Sequence, residues 1–281
     1  MRCARAHPAR KTAMADSLSP RARREKILEL VKQTGYMPIE ALTESFRVTP
    51  QTIRFDLNVL ADEGRVVRRH GGASIPSSVI NTDYDARRAD FAGAKASLAQ
   101  SVAQAVSDKS AVFLALGTTM LAVATALKTR AGLKVITHHT EAALSLAKQP
   151  GFDVVLLGGR VDPQNLGVSG PLTLEAASSY RPDVCLFSAG GIDAEGNILD
   201  YYEHEAAVVR LMIKRARRSI LVVDHSKFGR SASVMVGHVA DIDQLVTDKP
   251  PPTTIKKLLK LHKTELTQVP QRNAGDSRGR A

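Results

Sequence analysis

The chain has 281 residues, 43% of them hydrophobic, which suits one or two domains with real cores. No run of 18 apolar residues occurs, so no membrane span is expected, and the two cysteines, Cys3 and Cys185, lack metal-ligand spacing and point to a reducing, cytoplasmic setting. The net charge of +11 is uneven: residues 1–75 carry 14 Lys/Arg against 8 Asp/Glu, residues 76–250 carry 18 of each, and residues 251–281 carry 7 against 2. A basic N-terminal part joined to a balanced middle fits a polyanion binder attached to a domain with another task.

Residues 1–17 hold several arginines and no apolar stretch of a signal peptide. They are expected to be disordered, with Met14 as a candidate start. Ser19 and Pro20 supply a cap and first turn, Ile27, Leu30 and Val31 a helical stripe, and Gly35 a stop. Ile39, Leu42 and Phe46 mark a second helix, and Arg47-Val48 a tight turn. Thr49 and Pro50 then open a third helix, whose buried stripe is Ile53, Leu57 and Leu60. Gln51, Phe55 and Asn58 fall opposite that stripe, Arg54 on its flank, and Thr52 near its start. Gly64 ends the helix. Arg65, Arg68, Arg69 and His70 follow, with His70-Gly71-Gly72 as a hairpin tip. Three helices and a basic hairpin in residues 18–75 read as a winged helix-turn-helix. Its third helix suits the major groove and its wing suits phosphates. Periodicity alone is equally met by an amphipathic helix with a solvated charged face.

Residues 76–94, with Pro76 and the pair Arg87-Arg88, read as a linker. A helix is expected over 95–107. From Ala111 the pattern is strand, Gly-rich or polar turn, helix. Strands are predicted at Ala111–Leu116, Leu133–Thr137, Phe152–Leu157, Val184–Ser188 and Ile220–Val223, and helices at 118–129, 141–149, 173–179 and 203–217. This alternation over residues 95–250 predicts an α/β domain with a mostly parallel sheet. Ligands of such sheets bind beyond the carboxyl ends of the strands. Gly117-Thr118-Thr119 is the best candidate there: Gly admits an anion to the backbone, and two hydroxyls and free amides bind phosphate. The tripeptide alone is equally an ordinary strand-to-helix turn.

Lys227 is a candidate point charge for phosphate, Asp224 an acceptor for sugar hydroxyls or a loop-holding residue, and Glu205 a ligand acceptor. No metal is expected at His138-His139 and His204, because adjacent strand residues point to opposite faces. Asp200, Glu203 and His204 do not make a convincing acid–base set. No dinucleotide fingerprint is present and no cofactor is expected. Residues 251–281 read as a basic tail. It holds a short amphipathic helix with a solvated face around Ile255–Lys263, then disorder from Val269.

Thr52-Ile53-Arg54-Phe55-Asp56-Leu57, Glu63-Gly64 and Arg68-Arg69-His70-Gly71-Gly72-Ala73 together resemble the N-terminal signature of the DeoR family of bacterial transcriptional regulators. The resemblance extends over residues 20 to 247 through Gly117-Thr118-Thr119, Gly158-Gly159, Gly191-Ile192-Asp193, Glu205-Ala206 and Asp224-His225-Ser226-Lys227-Phe228-Gly229. It implies a sensor domain similar to ribose-5-phosphate isomerases, a phosphorylated sugar as effector, double-stranded operator DNA as partner, repression of sugar or carbon metabolism genes, and a homo-oligomer without enzymatic activity. It adds Gly158 and Gly159 to the candidate effector residues. Four residues depart from the family pattern. Phe55 stands for a usual Arg, Ala115 for Asp, His138 for Asn and Val209 for Lys. The losses at 115 and 209 leave open a regulator that no longer senses a sugar phosphate. An isomerase carrying a DNA module is a further alternative.

Overall fold

The computed structural model describes residues 18–69, 71–77, 81 and 84–270. The chain divides between Ile75 and Pro76 into two compact units. The expectations for residues 1–17, for His70 and for the end of the tail from residue 271 lie outside the described residues.

In the first unit, α1 (Pro20–Thr34), β1 (Tyr36–Pro38), α2 (Ile39–Phe46), α3 (Pro50–Asp62), β2 (Val67–Arg69) and β3 (Gly72–Ser74) follow one another. The Ser19 hydroxyl accepts from the Ala22 amide at 3.3 Å, and Thr49 accepts from the Thr52 amide at 3.2 Å. Each such cap contributes about 1 kcal/mol. Arg47 turns the chain between α2 and α3 in the left-handed region, at φ 51°. Ile27, Val31, Leu42, Ile53, Leu57 and Leu60 are fully enclosed and form the core on which the three helices pack. The strands make an antiparallel sheet in the order β1-β3-β2. Gly72 is required where β3 passes β1, since a Cβ there would stand 2.4 Å from the Met37 carbonyl oxygen. This is a winged helix-turn-helix, as the residue pattern predicts.

The second unit begins with α4 (Tyr84–Ala89) and α5 (Ala92–Ala105). Alternation follows: β4 (Ala111–Leu114), α6 (Thr118–Leu127), β5 (Lys134–Thr137), α7 (Thr140–Leu146), β6 (Asp153–Leu156), β7 (Arg160–Val161), β8 (Val168–Ser169), α8 (Pro171–Ser178) and β9 (Val184–Phe187). Then come β10 (Gly191–Ile192), β11 (Asn197–Asp200), α9 (Glu203–Arg215), β12 (Arg218–Val223), a 3₁₀ turn (His225–Lys227), β13 (Val234–His238), β14 (Gln244–Thr247), α10 (Thr253–His262) and β15 (Glu265–Gln268). Seven of the strands form one parallel sheet in the order β15-β14-β12-β9-β4-β5-β6. Its central strands β4, β9 and β12 are buried runs such as Val112-Phe113-Leu114 and Ile220-Leu221-Val222-Val223, as expected when helices cover both faces. A small antiparallel sheet, β10-β11-β13, carries a bulge between Ile198 and Leu199. Among the described residues no helix is long and apolar enough to cross a membrane.

The structure corrects two boundaries. The second half of the expected linker is not a connector: α4 occupies Tyr84–Ala89, and Tyr84 is 8% exposed. The absence of an apolar repeat hid this, because α4 is anchored by polar contacts. The start of the expected tail is part of the α/β domain as well. Ile255 and Leu259 of α10 are buried in the main core, and β15 extends the sheet by pairing in parallel with β14. The lysines of α10 drew the reading toward a solvated helix, although its apolar positions lie on one face.

Candidate DNA interface and effector pocket

In the first unit Gln51, Arg54, Phe55 and Asn58 lie on the solvent side of α3, with Phe55 62% exposed. The remaining predicted contacts are more constrained. The Thr52 hydroxyl pairs with that of Thr49 at 2.9 Å inside the cap. Arg68 of the wing donates to the Asn58 side-chain oxygen, tying wing to recognition helix. Arg65 turns away from the exposed face of α3 and grips Glu25 of α1 through two bonds of 2.7 and 2.6 Å, with Glu63 at 3.4 Å. Its charge is offset by two carboxylates. Arg69 lies in β2. Removing Arg54 should therefore weaken DNA binding at all sequences and lower the salt slope by about one, whereas Arg65→Ala should change the salt slope little. Titrating both variants with a duplex at several salt concentrations separates the two outcomes.

In the second unit the sheet reverses direction of growth between β4 and β9. A crevice at the carboxyl ends of two such strands is the usual ligand position of an open α/β sheet. Gly117-Thr118-Thr119 closes β4 there and starts α6. Gly117 has φ 130°, and a Cβ on it would meet nothing within 4 Å. Open space therefore lies on the side where a side chain would project. Gly159 differs: a Cβ there would stand 2.2 Å from the Thr173 hydroxyl, and the Gly158 carbonyl accepts from the same hydroxyl at 2.7 Å. Gly159 is required by packing of the β6–β7 turn against α8, whereas a Cβ on Gly158 would meet nothing within 4 Å. Gly159 also borders a cleft of about 580 Å³ with Asp162, Ser169 and His204.

Four cations, Arg87, Lys95, Lys227 and Arg230, lie close enough to feel one another's charge, and Lys95 and the Thr118 hydroxyl at the start of α6 meet at the Arg87 carbonyl. Burial pulls Lys227 down to about 8; Asp224 opposes this, while Arg230, Arg87 and Lys95 add to it. Burial likewise lowers Lys95, against Asp224 and Asp90, and lowers Arg87, against Glu205, Asp200 and Tyr84. The carboxylates behave reciprocally. Burial and the Asp200 charge raise Glu205 to about 7, and burial raises Asp200 against its amide bond from Tyr201 and the charges of Lys227, Arg87 and Arg230. The Asn165 amide donates to Glu205 Oε1 at 2.7 Å, and the Arg230 Nε donates to the Tyr201 hydroxyl at 3.0 Å. Asp224 accepts from the Ser226 amide at 3.0 Å, so it holds the 3₁₀ turn and faces Lys227 at once.

This end of the sheet thus combines mutually coupled positive charges, hydroxyls at a helix start and carboxylates able to accept from alcohols. That combination suits a small anion bearing hydroxyl groups. Of the predicted residues, Gly117, Thr118, Thr119, Glu205, Asp224 and Lys227 belong to this end of the sheet. Arg87, Lys95, Asp200 and Arg230 were not anticipated; only the charges within an otherwise apolar domain edge could have signalled them. Asp162, His204 and Glu205 gather at the cleft, with His204 Nε2 4.0 Å from both carboxylates.

Comparison with known proteins agrees with both halves of this description. Residues 23–79 match the DeoR-like helix-turn-helix domain and residues 91–249 the DeoR C-terminal sensor domain. The chain belongs to the DeoR family. The glycerol-3-phosphate regulon repressor of Escherichia coli is 40% identical over 244 residues, covering 87% of this chain and 97% of that protein. The transcriptional repressor CsqR of the same organism is 35% identical over 257 residues, covering 92% and 98%. A solved ribose 5-phosphate isomerase of Methanocaldococcus jannaschii aligns with TM-score 0.36 at 18% identity, over 48% of this chain and 53% of that one.

Against the DeoR pattern, the departures acquire physical content. Ala115 is 1% exposed and Val209 6%, both within the main core. Neither carries a charge, and the cations coupled to the Asp200, Glu205 and Asp224 carboxylates are instead Arg87, Lys95, Lys227 and Arg230. His138 is fully buried; its Nε2 accepts from the Leu116 amide at 3.0 Å and its Nδ1–H donates to the Val168 carbonyl at 3.2 Å. Burial, with a small contribution from the His204 charge, holds its pKa at about 4 against the pull of the Val168 carbonyl. A neutral His138 therefore bridges the Gly117 loop and β8 as a structural strut.

Proposed function

We propose that this chain is a transcriptional repressor whose sensor domain binds a phosphorylated polyol or sugar and thereby changes its affinity for operator DNA. The observation that carries this is the meeting of Lys95 and Thr118 of the α6 start at the Arg87 carbonyl, with Arg87, Lys227 and Arg230 coupled by charge to Asp200, Glu205 and Asp224. Cations alone would suit any anion. Carboxylates among them add acceptors for hydroxyl groups. Glycerol 3-phosphate is the first candidate, given the regulon named for the E. coli relative. The four cations favour a sensor that has kept its effector over one that has lost it. Gln51, Phe55 and Asn58 read the major groove, Arg54 on the flank of α3 holds a phosphate, and a symmetric oligomer in the cytoplasm would read paired half-sites.

Thermal unfolding with a panel of sugar and polyol phosphates and their unphosphorylated parents tests the reading. A ligand at 100 times its Kd stabilises the folded domain by about 2.7 kcal/mol, several degrees of Tm. A shift with one phosphate and none with its parent is the expected result; no shift with any phosphate would sink the sensor. The site is read as binding rather than catalytic. Turnover of ribose 5-phosphate that disappears in Glu205→Gln would overturn that.

A further inference from the structure

The groups best suited to hold a phosphate are already occupied by the protein's own backbone. The Lys95 ammonium donates to the Arg87 carbonyl, and the Thr118 hydroxyl approaches the same oxygen at 3.5 Å. Arg87 lies in the last turn of α4, where carbonyls lack intrahelical partners and carry the negative end of the helix dipole. Its carbonyl oxygen stands where an anionic oxygen would stand. The rest of α4 is fastened beside the pocket by separate contacts. Tyr84 pairs with His139 Nε2 at 3.2 Å, and Arg88 bridges to Glu141 of α7 at 2.9 Å. The Arg87 guanidinium lies over the Tyr84 ring, 5.4 Å from its centre. In the chain, α4 is the first helix after the DNA-binding unit, which ends at Ile75.

We propose that α4 is the coupling element of this sensor: a phosphate at the Gly117 loop takes Lys95 and Thr118 from the Arg87 carbonyl, loosens α4, and so acts on the segment that leads to the DNA-binding unit. The inference rests on the sensor reading above. It differs from a rigid pocket in one respect. Effector and α4 compete for the same donors, so ligand binding costs the helix two of its contacts. A ligand that competes with one conformational state shifts the population by its differential affinity, commonly 5- to 150-fold in such couplings.

The test uses the full chain, glycerol 3-phosphate and a DNA duplex selected by the protein from a random pool. Amide hydrogen exchange comes first. Glycerol 3-phosphate should slow exchange at Thr118–Leu121 and speed it at least tenfold at residues 84–89. Slowing at both places, or no change at 84–89 with slowing at the loop, overturns the role of α4. The double variant Tyr84→Phe, Arg88→Gln then detaches α4 without touching Lys95, Thr118 or Lys227. Glycerol 3-phosphate should still slow exchange at Thr118–Leu121 in this variant, because Lys95, Thr118 and Lys227 are intact. Its DNA affinity should respond to the ligand less than twofold. A DNA response equal to the wild type's refutes the proposal. A wild-type chain that binds neither glycerol 3-phosphate nor any other panel member refutes the sensor reading itself, and is told apart by the absence of slowing at the loop.

Discussion

Replacing Lys227 by methionine is expected to weaken binding of glycerol 3-phosphate roughly 100-fold, because removing one partner of a buried charge pair costs about 3 kcal/mol. Methionine is an unbranched side chain one atom shorter, and it removes the charge together with its N–H donors. The loop should survive the change, since Asp224 still accepts from the Ser226 amide and hydroxyl. The pH dependence gives a second, independent signature. Lys227 is held at about 8 by burial, aided by Arg230, Arg87 and Lys95 and opposed by Asp224. Below that value it is charged and attracts the ligand. As pH rises through 8 it loses its proton in the free protein, while a bound phosphate would keep it protonated. Affinity should therefore fall up to tenfold per pH unit above 8. On the acid side, affinity falls as the phosphate dianion is protonated near its second pKa of about 6. Calorimetric titration from pH 5.5 to 9.5 should show the alkaline limb in the wild type and a flat line above pH 8 in Lys227→Met. An unchanged limb in the variant would remove Lys227 from the site.

The residue pattern disclosed the winged helix-turn-helix and the parallel α/β sheet because both rest on short-range signals. Thr49-Pro50 and the Ile53, Leu57, Leu60 stripe are local, and buried parallel strands are apolar runs such as that at Ile220–Val223. Edge elements escaped for the opposite reason. The strand β15 has exposed Glu265, Leu266 and Gln268, so nothing in its sequence alternates or clusters. The same logic divides the candidate residues. Gly117, Thr118 and Lys227 sit in motifs with a local shape. Arg87 and Arg230 are ordinary arginines until α4 and the segment after the 3₁₀ turn bring them to the end of β4. Arg65 shows a partnership that sequence position conceals. Sequence position placed it beside the wing, and only the fold reveals that Glu25, 40 residues earlier, holds it. Charge near a basic run signals attraction to DNA; it does not reveal which charges are already paired.

Asp56→Ala should abolish DNA binding without removing any group from the exposed face of α3. Asp56 is fully buried although charged residues rarely are. It accepts from Arg23 Nε at 2.5 Å and lies 3.8 Å from Arg24, both on α1. The Arg23 side chain is itself 12% exposed, so truncating Asp56 leaves a mostly desolvated guanidinium without its anion. Breaking a buried pair from one side costs about 3–5 kcal/mol. A domain of this size has a total stability of only about 5 kcal/mol, so the variant domain should be largely unfolded near 37 °C. Replacing both partners, as Arg23→Met with Asp56→Leu, should restore much of the loss, because the close pair is removed whole and only the more exposed Arg24, 3.8 Å from Asp56, loses an anion. Circular dichroism melts of the single and double variants, read beside DNA titration, decide the matter. Recovery of both stability and binding in the double variant means that Asp56 of the Thr52–Leu57 run is there to fix α3 against α1. A double variant that regains stability but not DNA binding would instead make the Arg23–Asp56 pair part of the recognition surface.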